Sequence, residues 1–348
     1  MQISVFEHQV IRIGMEWSGQ AFTTRHHQAL VRYQSYRNHH WYHILPDGIR
    51  FSHYVGILQI GTLTIEILPK TENEAPEVWR RVLLEMLSMA GVLKIETTAP
   101  TSLGIRPNFL LDYYFDHFLE KVGKLLSRGL VRRYRPFRQN EKTWKGQLDF
   151  QKQIQHNVAH QERFFVRREH YDYAHPANQI ITEALQILPR LTDNPVLKNK
   201  AIGIQTAFPV LTKWHFSENR FRQILEDQRF KHYRPALELA YLIIKNFQPD
   251  IRTGRHHVIA ILFDMNQLFE IFIYKQLTKA HHPEIEVHRQ VQRPFWLNRK
   301  IRPDIFIKTK TDQLILDTKW KVLSEGKPSI EDLKQIFIYN QYFAANKG

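Results

Sequence analysis

Asp304 and the triplet Asp317-Thr318-Lys319 are the side chains in this sequence whose types and spacing can do chemistry. Asp304 follows Pro303 and opens the run Ile305-Phe306-Ile307, while Asp317 and Lys319 follow Leu314-Ile315-Leu316. Both runs are of β type, and a turn-like stretch, 308–312, separates them. Side chains two apart on a strand share a face, so Asp317 and Lys319 project together. A hairpin brings Asp304 to the same end of the sheet. Two carboxylates and a lysine converging there can hold a hard cation and steady a water beside a phosphodiester, as metal-assisted hydrolysis requires. An Asp-x-Lys pair on an edge strand is also a common solvated pattern. The apolar strand before Asp317 and the Pro-Asp opening of its neighbour set this one apart.

Two helices can complete such a site. A helix over 263–279 carries Glu270 among Leu268, Phe269, Ile271, Phe272 and Ile273; an acid in that setting lies at the rim of the buried stripe or is functional. In a closing helix over 330–343, Asp332, Gln335 and Tyr339 fall at i, i+3 and i+7 on one face. That face is either the solvated side of the helix or the flank of the hairpin site.

The elements that must hold these residues belong to a chain of 348 residues, long enough for two or three domains. With 43% hydrophobic and 12% aromatic residues it can build large cores. It has no cysteine, which excludes disulfides, thiolate zinc sites and cysteine nucleophiles. The net charge of +15 points to a polyanionic partner. Eleven lysines and arginines against three acids fall in 128–168, and nine against three in 287–321, around the candidate carboxylates. The first residues carry no secretory pattern, and no apolar run approaches a membrane span; a cytoplasmic protein is expected. Neither Gly123-Lys124 nor Gly326-Lys327 completes a P-loop, the histidine pairs 26/27, 39/40, 256/257 and 281/282 show no zinc spacing, and no Ser or Thr sits in a nucleophile elbow.

Hydrophobic patterning predicts an α+β multidomain chain: a mixed α/β N-terminal domain over 1–105, a mostly helical, basic middle over 106–254, and an α/β domain over 255–348. A hairpin is expected around Gly61, helices over 77–90, 109–126, 176–188 (closed by Pro189) and within 220–247, and strands over 287–293 and beside the two carboxylates.

The order Glu270, Asp304, Asp317-Thr318-Lys319, Gln335-x-x-x-Tyr339 resembles the PD-(D/E)xK nuclease signature. More closely, the chain resembles the McrC family, the nuclease subunits of McrBC modification-dependent restriction systems. The segments carrying the resemblance are 55–70, Lys145-Gly146-Gln147-Leu148-Asp149-Phe150 with Gln153, Ile154 and Asn157, Asn178-Gln179-Ile180-Ile181, and Phe263-Asp264-Met265-Asn266-Gln267-Leu268-Phe269-Glu270. The resemblance implies a restriction-endonuclease-like C-terminal domain, Asp304 and Asp317 as Mg²⁺ ligands, Lys319 acting on water and phosphate, and Glu270, Gln335 and Tyr339 as auxiliary residues. It implies double-stranded, modified DNA as substrate. It further implies an McrB-like AAA+ GTPase hexamer as partner, which binds the GTP and meets the N-terminal part of this chain. In that family more nuclease-domain structure follows the closing helix, so a shortened domain ending at Gly348 is expected. A non-cleaving, DNA-binding subunit that activates the GTPase is the alternative.

Overall fold

The computed structural model describes residues 1–17, 19–36, 40–70, 75–91, 110–211, 217–248, 257–280, 284–321 and 327–345. The expected connector over 100–107, most of 251–257, and His39, His256, His281 and His282 lie outside them. The fold is mixed α/β and divides into two compact units, residues 1–110 with 248–348, and residues 111–247.

In the first unit the expected hairpin is present. Tyr54–Ile60 and Leu63–Leu68 pair antiparallel, and Gly61 turns between them at φ 59°. Nearly every side chain of both strands is buried, which is why they read as continuous apolar runs rather than as an alternation. Gln2–Phe6 adds to Leu63–Leu68 in parallel, and Val258–Asp264 adds antiparallel to Tyr54–Ile60. N-terminal and C-terminal stretches, assigned to separate segments from sequence, therefore share one sheet. Glu66, 0% exposed, ties the Pro76–Met89 helix to it: Arg80 donates to both carboxylate oxygens at 2.7 Å, Ser4 donates at 2.7 Å and the Leu110 N–H at 3.0 Å. A buried charge is tolerated only when paired this completely.

Gly56 faces the Val258–Asp264 strand with φ +130°, and a Cβ placed on it would meet the Ile261 carbonyl oxygen at 2.1 Å. Gly56→Ala should cost about 3 kcal/mol, through overpacking against backbone and an unfavourable φ. Chemical denaturation measures it; a loss below about 1 kcal/mol, the ordinary scale of a Gly/Ala exchange, would mean the strands part without strain.

The helix expected from 263 starts at Met265. Asp264 is its N-cap, accepting from the N–H groups of Asn266 and Gln267 at 2.9 and 3.3 Å, so Phe263 and Asp264 stay in the strand. Beyond this Met265–Lys279 helix, Glu286–Arg289, Ile305–Lys308 and Gln313–Leu316 form an antiparallel sheet with Ile305–Lys308 at its centre. The strand expected over 287–293 is divided: Gln290 turns at φ 52°, and Arg293–Trp296 pairs with Arg299–Ile301 instead. The Ile330–Phe343 helix begins at a capping box made by Ser329 and Asp332. It packs Tyr339 and Phe343 against Phe306 and Ile315.

The second unit holds helices Leu110–Arg128, Pro176–Leu191, Pro195–Ala207, Glu218–Glu226 and Arg234–Asn246. The third-to-last residue of Pro176–Leu191 is Pro189; it does not close the helix, which runs on to Leu191. Nor is this unit helical throughout. Arg133–Glu141 and Phe164–Asp172 pair along nine residues each as an antiparallel ribbon, with Gln147–Leu148 at its edge. No helix among the described residues is long and apolar enough to cross a membrane.

Candidate active site

Ile305 pairs with Leu316 at the end of the central ladder. One residue beyond that pair, on either strand, stand Asp304 and Asp317. The Asp304 Oδ2 accepts two hydrogen bonds from Thr318, from its N–H and its hydroxyl, both at 2.8 Å. These bonds hold the turn after Leu316 against the start of Ile305–Lys308. The Asp304 Oδ1 takes no hydrogen bond among the described residues.

Asp317 is 5% exposed and Lys319 is 39% exposed, and the Lys319 Nζ lies 2.7 Å from the Asp317 Oδ2. Gln335, on the closing helix, reaches both. Its Nε2 donates to the Asp317 Oδ1 at 3.3 Å, and its Oε1 accepts from the Lys319 Nζ at 3.2 Å. The same Nε2 donates to the Tyr339 hydroxyl at 2.8 Å, and that hydroxyl donates to the Arg302 carbonyl at 3.3 Å. The structure thus brings together Asp304, Asp317, Lys319, Gln335 and Tyr339. Glu270 is buried but bonds to none of them. Its carboxylate accepts from Arg289 Nε at 2.8 Å and from Gln290 Nε2 at 2.8 and 3.2 Å, and the Gln290 N–H in turn donates to the Asp304 carbonyl at 2.9 Å.

Burial pushes the Asp317 carboxyl above the usual carboxylate range; the neighbouring Asp304 and Asp332 charges add to this, against the pull of Lys319. For Lys319 burial acts downward, but its hydrogen bond to Asp317 and the charges of Asp317, Asp304 and Asp332 outweigh it, so the ammonium is held above its ordinary value. Asp332 itself is lowered to about 2 by Lys321 and Ser329.

Among the described residues no cluster of three or more His, Cys, Asp or Glu side chains could cage a metal. Two carboxylates at one sheet end, with a free oxygen on Asp304, form an all-oxygen set. That fits Mg²⁺, which keeps several of its waters and binds through one or two carboxylates; it does not fit a transition-metal cage.

The sequence names every member of this cluster, Thr318 included as part of the triplet, but gives Thr318 no role of its own; that role comes from its two bonds to Asp304. Arg289 and Gln290 were not anticipated, because their part depends on a positive-φ turn that no local pattern announces. The surrounding cations are largely engaged: Arg289 with Glu270, Lys310 with Glu284, Lys321 with Asp332.

The second basic cluster lies on the ribbon of the other unit. Arg135–Asp172, Arg168–Glu141 and Arg138–Asp149 are ion pairs. Tyr134 and Tyr171 face each other at 4.6 Å, and Arg132 lies over the rings of Tyr171 and Tyr173. Lys142, Lys145 and Trp144 are exposed just after Arg133–Glu141.

No curated protein sequence matches this chain. In fold it is similar to a chain of the refined half-complex from the tetradecameric assembly of Thermococcus gammatolerans McrB AAA+ hexamers with bound McrC, with a TM-score of 0.76 and 22% identity, covering 99% of this chain and 86% of that one. It is also similar to a chain of the cryo-EM structure of the Thermococcus gammatolerans McrBC complex, with a TM-score of 0.61 and 21% identity over 80% of this chain and 88% of that one. The profile of the family described as "McrBC 5-methylcytosine restriction system component" matches residues 49–348, most of the chain. The chain belongs to that family.

Proposed function

We propose that this chain is the McrC-type nuclease subunit of its system, hydrolysing DNA phosphodiesters with Mg²⁺ in company with an AAA+ GTPase. The observation that carries the reading is the gathering of Asp304, Asp317, Lys319 and Gln335 at one sheet end: Asp317, Lys319 and Gln335 bond to one another at 2.7 to 3.3 Å, and Asp304 is tied to the Thr318 between them at 2.8 Å. Asp304 and Asp317 would hold Mg²⁺, which when bound supplies Lewis-acid activation of water and neutralises charge on the phosphate. Lys319, faced by carboxylates, serves as a fixed ammonium for the negative charge that develops on the phosphoryl oxygens. Gln335 fixes the Lys319 amine and the Asp317 carboxylate relative to each other, and Tyr339 fixes Gln335. Glu270 acts one step back, through Gln290 and the backbone of Asp304. An AAA+ hexamer as partner is supported by the solved neighbours, which are McrB and McrC assemblies by description. This chain should bind no GTP itself, since it carries no P-loop.

A second reading, a non-cleaving subunit that activates the GTPase, is favoured by one observation: the absence of a third metal-ligating side chain from the described cluster. One assay separates the two. The complex with the cognate AAA+ partner, supplied with GTP, Mg²⁺ and modified duplex DNA, should cut the DNA, and chelating the Mg²⁺ should stop it. GTP turnover without any cut would establish the second reading.

DNA binding by the isolated chain should be non-specific and steeply salt-dependent, since each phosphate contact contributes about 0.9 to the logarithmic slope. Lys142→Ala with Lys145→Ala should therefore flatten the slope by about 2 units if both lysines meet phosphate. Fluorescence anisotropy across a salt series measures it, and an unchanged slope would place the contacts away from residues 142–145.

A further inference from the structure

Lys319 lies outside the sheet ladder. The strand Gln313–Leu316 ends three residues before it, and the stretch 317–320 has no regular structure. A side chain that must meet a developing charge has to be held within a fraction of an ångström, so something other than ladder bonds must fix this stretch. On one side Thr318 is fixed by Asp304. On the other stands Trp320, a residue with no place in the cluster described above.

The Trp320 indole N–H donates to the Glu7 Oε1. Glu7 follows the first strand of the N-terminal sheet, is 1% exposed, and accepts on the same oxygen from the Lys70 N–H at 2.9 Å. Its Oε2 makes no hydrogen bond among the described residues. A buried carboxylate with so few donors is costly to keep: among the described residues the indole N–H is one of two donors to that oxygen, and the His8 Nε2 stands 3.8 Å from the other. The Trp320 ring also meets Phe269, at 5.0 Å between centroids, and Trp79, edge-on at 6.4 Å. Phe269 precedes Glu270 on the Met265–Lys279 helix, and Trp79 lies on the Pro76–Met89 helix. Trp320 is thus clamped by the N-terminal sheet and two helices of the same unit, immediately after the lysine.

Resting on the nuclease reading, we infer that Trp320 is a positioning residue: through its bond to Glu7 it sets Lys319 against Asp317 and Gln335, so the N-terminal strand is a working part of the cleavage site. Trp320→Phe keeps an aromatic ring in the clamp and removes only the N–H. In the full complex its single-turnover cleavage should fall by on the order of tenfold to a hundredfold, the cost of a displacement near 1 Å. DNA affinity should stay unchanged, and the melting temperature should fall by no more than a few degrees, the cost of one donor lost to the buried Glu7 carboxylate. On a Lys319→Ala background the same substitution should add almost nothing, because both act through one group. A readout independent of cleavage is zero-length carbodiimide coupling of Lys319 to Asp317, followed by mass spectrometry of the isolated chain. Its yield should drop at least about threefold, since coupling requires amine and carboxylate in contact. Unchanged coupling yield in Trp320→Phe overturns the inference even if the wild-type complex cuts no DNA, an outcome that would defeat the nuclease reading separately. Wild-type cleavage by Trp320→Phe, or a loss that multiplies with that of Lys319→Ala, overturns it as well.

Discussion

Asp304→Asn and Asp317→Asn should each reduce cleavage by the reconstituted complex about a thousandfold or more. A bound divalent ion contributes several kcal/mol of transition-state stabilisation, and each ~1.4 kcal/mol is a factor of ten in rate. Among the described residues, Asp304 and Asp317 are the two carboxylates at the sheet end, and no cluster of three metal-ligating side chains stands there to replace either. The two variants differ in what else they disturb. Asn at 304 keeps an oxygen to accept the two bonds from Thr318, and the local fold should survive. Asn at 317 removes the partner of the Lys319 ammonium and presents its amide to a site that supplies donors from Lys319 and Gln335. A small drop in melting temperature is expected there and not at 304. DNA affinity should be unaffected in both, because the ribbon and its cations are untouched. Wild-type rates from either variant would remove that carboxylate from the site.

Lys319→Ala should lower the single-turnover rate by on the order of 10² to 10³, the usual loss when one preorganised charge at a developing anion is deleted. Mg²⁺ dependence should persist, since Asp304 and Asp317 remain. Asp317 should then stand with Gln335 as its one described donor, and metal affinity should rise slightly if it moves at all, because the ammonium no longer competes for the carboxylate. Arginine at 319 should restore little: a planar fork does not occupy the space of a compact ammonium between Asp317 and Gln335. An unchanged rate in Lys319→Ala would reduce the lysine to a structural counter-charge.

Much of this site was legible because the pattern that encodes it is local. The runs before Asp317 and after Asp304 are short, apolar and of β type, and i, i+4 spacing puts Gln335 and Tyr339 on one face of the closing helix. What could not be read depends on contacts distant in sequence. Val258–Asp264 is an apolar run whose long neighbour, Tyr54–Ile60, lies some two hundred residues earlier, and nothing in its own residues names that partner. The Arg133–Glu141 strand escaped because none of its side chains is buried, so it has neither the alternation of a half-buried strand nor the period of a helix. Glu270 was singled out for its apolar surroundings, yet its partners Arg289 and Gln290 come from a turn whose geometry is set by the sheet. The pairing of Glu7 with Trp320 spans 313 positions of sequence, and an isolated Glu or Trp carries no mark of it.

The sharing of one sheet by both ends of the chain has a consequence for how the protein is made. Tyr54–Ile60 leaves the ribosome with Leu63–Leu68 on one side and nothing on the other, and its second neighbour, Val258–Asp264, is about two hundred residues behind. At ~5–20 residues per second, the first unit waits on the order of ten seconds or more with an open, apolar β-edge, while the second unit emerges complete. Unpaired edges of that kind invite pairing with other chains. Newly made protein should therefore be most vulnerable to aggregation before residue 264 has emerged, and nascent chains stalled short of that point should depend on chaperones in a way that longer ones do not.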